Sequence, residues 1–158
     1  MITVIELTDT EIRQVAITAA DRMIDSIRKG LRHSHGYDGN DEWGVHFGGA
    51  AAEKAFCKFV DGYDASTVSN FNCNGGADYR DNVQIRWTKN DSGRLIVRPS
   101  DDSDHFYYLV VGPVERMRVV GGIKGANAKQ DQFKTNFGNP QRPEVYAVPQ
   151  NHLRLRNV

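Results

Sequence analysis

Asp78, Gln84 and Arg86 sit near the middle of the chain, in Gly75-Gly76-Ala77-Asp78-Tyr79-Arg80-Asp81-Asn82-Val83-Gln84-Ile85-Arg86-Trp87-Thr88. Two short extended runs flank Asp81-Asn82, and turn residues between half-apolar segments signal a β-hairpin. Alternation along a strand from Val83 to Thr88 sends Gln84, Arg86 and Thr88 to one face and Val83, Ile85 and Trp87 to the other. The apolar face is expected in the core. The polar face, with Asp78 approaching across the hairpin, is expected to gather an acid, an amide oxygen and a cation. Arg80, Arg86, Lys89, Arg94 and Arg98 also fall in or beside predicted strands. One sheet face is thus a candidate phosphate-binding surface, the ordinary alternative being a solvated face.

These residues need elements to position them. Thr8-Asp9-Thr10-Glu11 reads as a capping box. Apolar residues recur at Ile12, Val15, Ala16, Ala19, Met23, Ile27 and Leu31, an amphipathic helix closing near Gly30. Residues 32–42 form a polar loop whose His33 and His35 lack a third metal ligand at useful spacing. From Trp43, the small residues Gly44, Gly48, Gly49, Ala50, Ala51 and Ala52 lead through Glu53 to Phe56, Phe59 and Val60. They predict a second helix, packed closely and ending before Asp61-Gly62. Glu53 lies on its small-residue side, where a backbone or ligand can approach, although a helical glutamate is ordinarily solvated.

Extended segments follow at Thr67–Asn72, Ala77–Tyr79, Val83–Thr88, Arg94–Arg98, Tyr107–Val111 and Met117–Ile123, with turn-rich separators such as Asn90-Asp91-Ser92-Gly93. Short connections of this kind predict an antiparallel meander. A short helix over Ala126–Phe133 and a strand over Val145–Pro149 precede the tail. The expected fold class is α+β: one domain over residues 1–158, with N-terminal helices packed on a mixed, largely antiparallel sheet.

The order of Glu53, Asp78, Gln84 and Arg86 resembles the PD-(D/E)XK nuclease superfamily. Its small-residue helix, its "G-x-D" and its "x-E/Q-x-K" strand are similar to Gly49-Ala50-Ala51-Ala52-Glu53-Lys54-Ala55, Gly76-Ala77-Asp78 and Val83-Gln84-Ile85-Arg86. Downstream stretches such as Tyr107-Tyr108-Leu109-Val110-Val111 also look like small uncharacterised phage proteins. The resemblance implies a restriction-endonuclease-like core and a metal-dependent phosphodiesterase acting on DNA. Mg²⁺ or Mn²⁺ would sit on Asp78, Glu53 and the Gln84 amide oxygen, because such ions take hard oxygen donors. The ion would polarise the phosphate and activate water, and Arg86 would stabilise developing charge.

Two departures bear on activity. Gln84 removes a negative charge from the metal site. Arg86 stands where the family has lysine, and a guanidinium stays protonated, so it serves as a fixed cation and not as a base. The alternative function is therefore an inactive nuclease-like fold that binds nucleic acid or a host or phage protein. The plain structural alternative makes Asp78 a turn cap, Gln84 and Arg86 sheet surface, and Glu53 a solvated residue. Arg80, Lys89, Arg94 and Arg98 are the residues expected to contact DNA.

Formal net charge is zero, which argues against a wholly electrostatic nucleic-acid binder. Residues 1–64 nevertheless hold 7 Lys/Arg against 11 Asp/Glu, whereas residues 65–158 hold 13 against 9. No apolar run approaches the ~20 residues of a membrane span, and Met1-Ile2-Thr3 does not open a signal peptide. A cytoplasmic protein is expected, in the host cell if phage-encoded, with Cys57 and Cys73 reduced. A homodimer is a further expectation, since two-fold symmetry matches a duplex.

Overall fold

The computed structural model describes residues 3–30, 41–61, 79 and 81–155. Asp78, Arg80, His33, His35, Cys73 and the expected strand Thr67–Asn72 lie outside them. Strand β1 (Val4–Glu6), absent from the sequence reading, leads into helix α1 (Asp9–Arg28). The capping box forms as expected. Glu11 N donates to Thr8 Oγ1 at 3.2 Å, and Thr8 N donates to the Glu11 carboxylate at 2.7 Å. The same carboxylate accepts from Lys58 at 2.9 Å, tying the cap to helix α2 (Glu42–Asp61). Burial disfavours the charged form of Glu11, but hydrogen bonds from Thr8 and Lys58 outweigh it and hold the pKa below its ordinary value.

Helix α2 is built to approach closely. Ala50, Ala51, Ala52, Ala55 and Phe56 are fully buried, and the missing side chain of Gly48 makes room for Trp87. A Cβ there would lie 2.2 Å from the indole ring. Phe56 packs on Tyr79 and Tyr108 with ring centroids 5.6 and 4.9 Å away.

The remaining chain forms β2 (Val83–Thr88), β3 (Leu95–Val97), β4 (Phe106–Val111), β5 (Arg116–Lys124), the short helix α3 (Gly125–Ala128), β6 (Lys134–Thr135) and β7 (Val145–Val148). They make two sheets, ordered β1-β5-β4-β2 and β3-β7-β6. The first is mixed: β2 runs parallel to β4, while β5 is antiparallel to both β4 and β1. The expected hairpin turn is present, with Tyr79 and Val83 exchanging backbone hydrogen bonds of 3.1 and 3.2 Å. The meander expected beyond it is not formed. After β2 the chain leaves the first sheet, pairs β3 with β7 in the second, and returns to lay β4 parallel to β2. A parallel pair needs such a crossover, and β3 supplies it in place of a helix.

Strand β4 shows why two layers form. Its Tyr108 and Val110 join the core under α2, whereas Tyr107, Leu109 and Val111 join a second core against β3, β7 and Phe133. A strand covered on both faces reads as one continuous apolar run. The C-terminal tail is docked as well: Leu153 is buried, and Arg154 exchanges backbone hydrogen bonds with Gly122. Among the described residues, no helix is long and apolar enough to cross a membrane.

Candidate functional site

Glu53 is 7% exposed, not solvated. Burial of a carboxylate requires a partner, and Arg22 of α1 provides it. Arg22 Nη1 donates to Glu53 Oε1 at 2.9 Å and Nη2 to Oε2 at 2.6 Å, a bidentate fork between the helices. Val83 and Ile85 face α2 in the core that holds Ala51, Ala52 and Ala55. Gln84 and Arg86 alternate to the other face, in register with Tyr107 and Leu109. The sheet therefore separates Arg86 from the layer that carries Glu53. The acid engaging Arg86 among the described residues is Asp101, with Nη2 at 3.2 and 3.1 Å from its two oxygens, and the guanidinium lies 5.4 Å from the centroid of the Tyr107 ring.

Asp78 lies outside the described residues, and the other two expected metal donors, Glu53 and Gln84, belong to different layers of the fold. A cation at Glu53 would meet the fixed positive charge of Arg22, which already occupies both carboxylate oxygens, and Gln84 points away from α2. Among the described residues, no three His, Cys, Asp or Glu side chains cluster to hold a metal.

The basic strand residues do assemble. Two adjoining hollows of about 600 and 460 Å³ open beside β2 and β3 and share Trp87, Thr88, Asn90, Ile96 and Phe137. Lys89, Arg98 and Arg142 line the larger hollow, and Arg86 and Arg94 the smaller. No acidic side chain lines either one among the described residues. Of the expected DNA contacts, the groove thus gathers Lys89, Arg94 and Arg98.

Local hydrogen bonds fix each wall. Lys89 and Arg94 flank the Asn90–Gly93 turn, where Asn90 Oδ1 accepts from Ser92 N at 3.0 Å and Gly93 N donates to Asn90 O at 2.9 Å. Gln150 Nε2 clamps the same turn through the carbonyls of Asp91 and Gly93 at 2.8 and 2.9 Å. Arg98 directly follows β3, and its backbone N donates to Asp101 Oδ2 at 2.8 Å. Asp101 is therefore shared. It neutralises Arg86, anchors the Arg98 backbone, and its main-chain carbonyl accepts from Lys129. Burial lowers the Arg98 pKa, as does the neighbouring Arg86 charge, while Asp101 opposes both. The Arg86 and Arg98 charges disfavour one another, a repulsion that an incoming anion would relieve.

No family model, curated protein or solved structure matches this chain.

Four contributors went unrecognised in the sequence. Trp87, expected in the core, is only half-buried. Its Nε1 donates to Gly112 O at 3.0 Å while the ring lines the groove. Arg22 gave no sequence signal, because its partner is 31 residues away. Phe137 belongs to Asn136-Phe137-Gly138-Asn139-Pro140, a run whose turn residues surround one aromatic, and Arg142 follows two residues later. An aromatic inside so many breakers is the signal that could have flagged them.

Proposed function

We propose that this protein is a nucleic-acid-binding module that takes the phosphate backbone of DNA in the groove between β2, β3 and the 136–145 segment. The observation carrying this reading is the convergence of Lys89, Arg94, Arg98 and Arg142 on hollows with no acidic lining side chain among the described residues. Phosphates attract such an arrangement without base-specific contacts, and binding then depends steeply on salt. A chain of zero net charge can still bind this way, because attraction follows the local field of the groove.

Cleavage by a metal-dependent phosphodiesterase is less well supported. Glu53 is paired with Arg22, and Arg86 with Asp101 on the other face of the sheet.

Fluorescence anisotropy with labelled DNA across about 50 to 200 mM salt tests the proposal. Lys89→Ala and Arg94→Ala should each weaken binding for every sequence and reduce the log–log salt slope by roughly 0.7 to 0.9. Their urea midpoints should match the wild type, since exposed side chains contribute little to stability. Binding indifferent to both substitutions sinks the groove. Incubating the same samples with Mg²⁺ or Mn²⁺ separates the two readings: strand scission abolished by Asp78→Ala would assign catalysis instead.

A further inference from the structure

We infer that the groove accepts unpaired nucleotides and that Phe137 is the platform on which a base stacks. The inference rests on the groove's binding nucleic acid and adds which form it takes. Phe137 is the one non-glycine residue with positive φ among the described residues, at 57°. That conformation is unfavourable for an L side chain, and where a protein keeps it the surroundings must impose it.

The surroundings here do. Phe137 N donates to Thr135 Oγ1 at 2.9 Å, Gly138 N donates to Asn136 Oδ1 at 3.0 Å, and Gly138 follows with φ 72°. Burial would be the usual compensation for holding a phenylalanine this way, yet Phe137 is 52% exposed. The strained backbone instead presents an apolar ring at the wall common to both hollows. Arg142 stands over it, its guanidinium carbon 5.9 Å from the ring centroid, placing a cation for phosphate beside an aromatic face for a base. Alternating cations and aromatics of this kind serve single strands, whose bases have free π faces. In a duplex those faces are already stacked on their neighbours, so Phe137 would have nothing to meet.

The test compares wild type, Phe137→Gly, Phe137→Tyr and Lys89→Ala for binding to oligothymidylate of about 12 nucleotides, oligouridylate, a duplex and inorganic polyphosphate. Phe137→Gly should lower single-strand affinity at least ~5-fold and leave duplex and polyphosphate binding within about twofold. It should also melt no lower than wild type, because glycine accepts positive φ, so unfolding cannot account for the loss. Phe137→Tyr should restore binding. Oligothymidylate and oligouridylate distinguish DNA from RNA, and loss on either supports the inference. If Phe137→Gly changes single-strand and duplex binding in parallel, or changes neither, while Lys89→Ala still weakens both, the stacking role is wrong and the groove stands. If the wild type binds none of these polyanions, the groove itself fails and the stacking role with it.

Discussion

Charges on the two sides of the first sheet are handled in opposite ways. On the helical side, Glu53 meets Arg22 and Glu11 meets Lys58, each pair largely withdrawn from water. On the other side, Asp101 pairs with Arg86 and accepts from the Arg98 backbone, while Lys89, Arg94, Arg98 and Arg142 line the adjoining hollows. Buried pairs lock two helices in register, whereas cations lining a groove with no acidic lining side chain among the described residues present their charge to a ligand. The difference separates what this fold uses to hold itself together from what it offers to a partner.

Removing one member of a buried pair should have the largest effect on stability. Arg22→Ala leaves the Glu53 carboxylate buried without its fork, at a cost of about 3 kcal/mol or more. Urea denaturation should show a clear fall in midpoint, and an unchanged midpoint would mean that the pair is not structural.

Gly48→Ala probes the seam between the two sides, because its new methyl group would collide with Trp87, which also lines the groove. Overpacking of this kind costs about 1 to 3 kcal/mol. Here stability and DNA affinity should fall together, whereas Lys89→Ala should lower affinity alone. A Gly48→Ala protein with full affinity would uncouple the groove from the helical layer.

The smallest effect is set by pH. The folded pKa of Glu11 lies below its ordinary 4.5, so the folded state holds the proton less tightly than the unfolded chain does. Its stabilisation is fully present well above 4.5 and is lost as pH falls through the folded value. Thermal melts in acid should show a decline that Glu11→Gln reduces. An identical decline in that variant would place the acid sensitivity elsewhere.

What could be read from the sequence follows the range of the interactions involved. The capping box at Thr8 and Glu11, the helix from Asp9, the close-packing alanines of α2 and the two faces of Val83–Thr88 all depend on residues a few positions apart. The turn at Asp81-Asn82 is local in the same sense, and so are the cations clustered between Lys89 and Arg98.

The pairing of elements was not local. Short turns such as Asn90–Gly93 suggest that successive strands lie side by side, yet β3 left for a second sheet. The reason lies in β4, whose apolar residues on both faces need two layers to cover them. From the sequence Glu53 is expected as a metal ligand or, in the plain structural alternative, as a solvated residue; Arg22, from another helix, makes it half of a buried ion pair.

By itself, then, the sequence determined the local elements of an α+β fold and placed cations along its middle strands. Tertiary structure alone decided which face of the sheet each charge occupies, that Glu53 is spent on Arg22, and that Phe137 and Arg142 join Lys89 and Arg98 at one groove. Hydrogen bonds within a turn or helix are encoded by neighbours in the chain. The pairing of charges is encoded by neighbours in space, which exist only once both cores have closed.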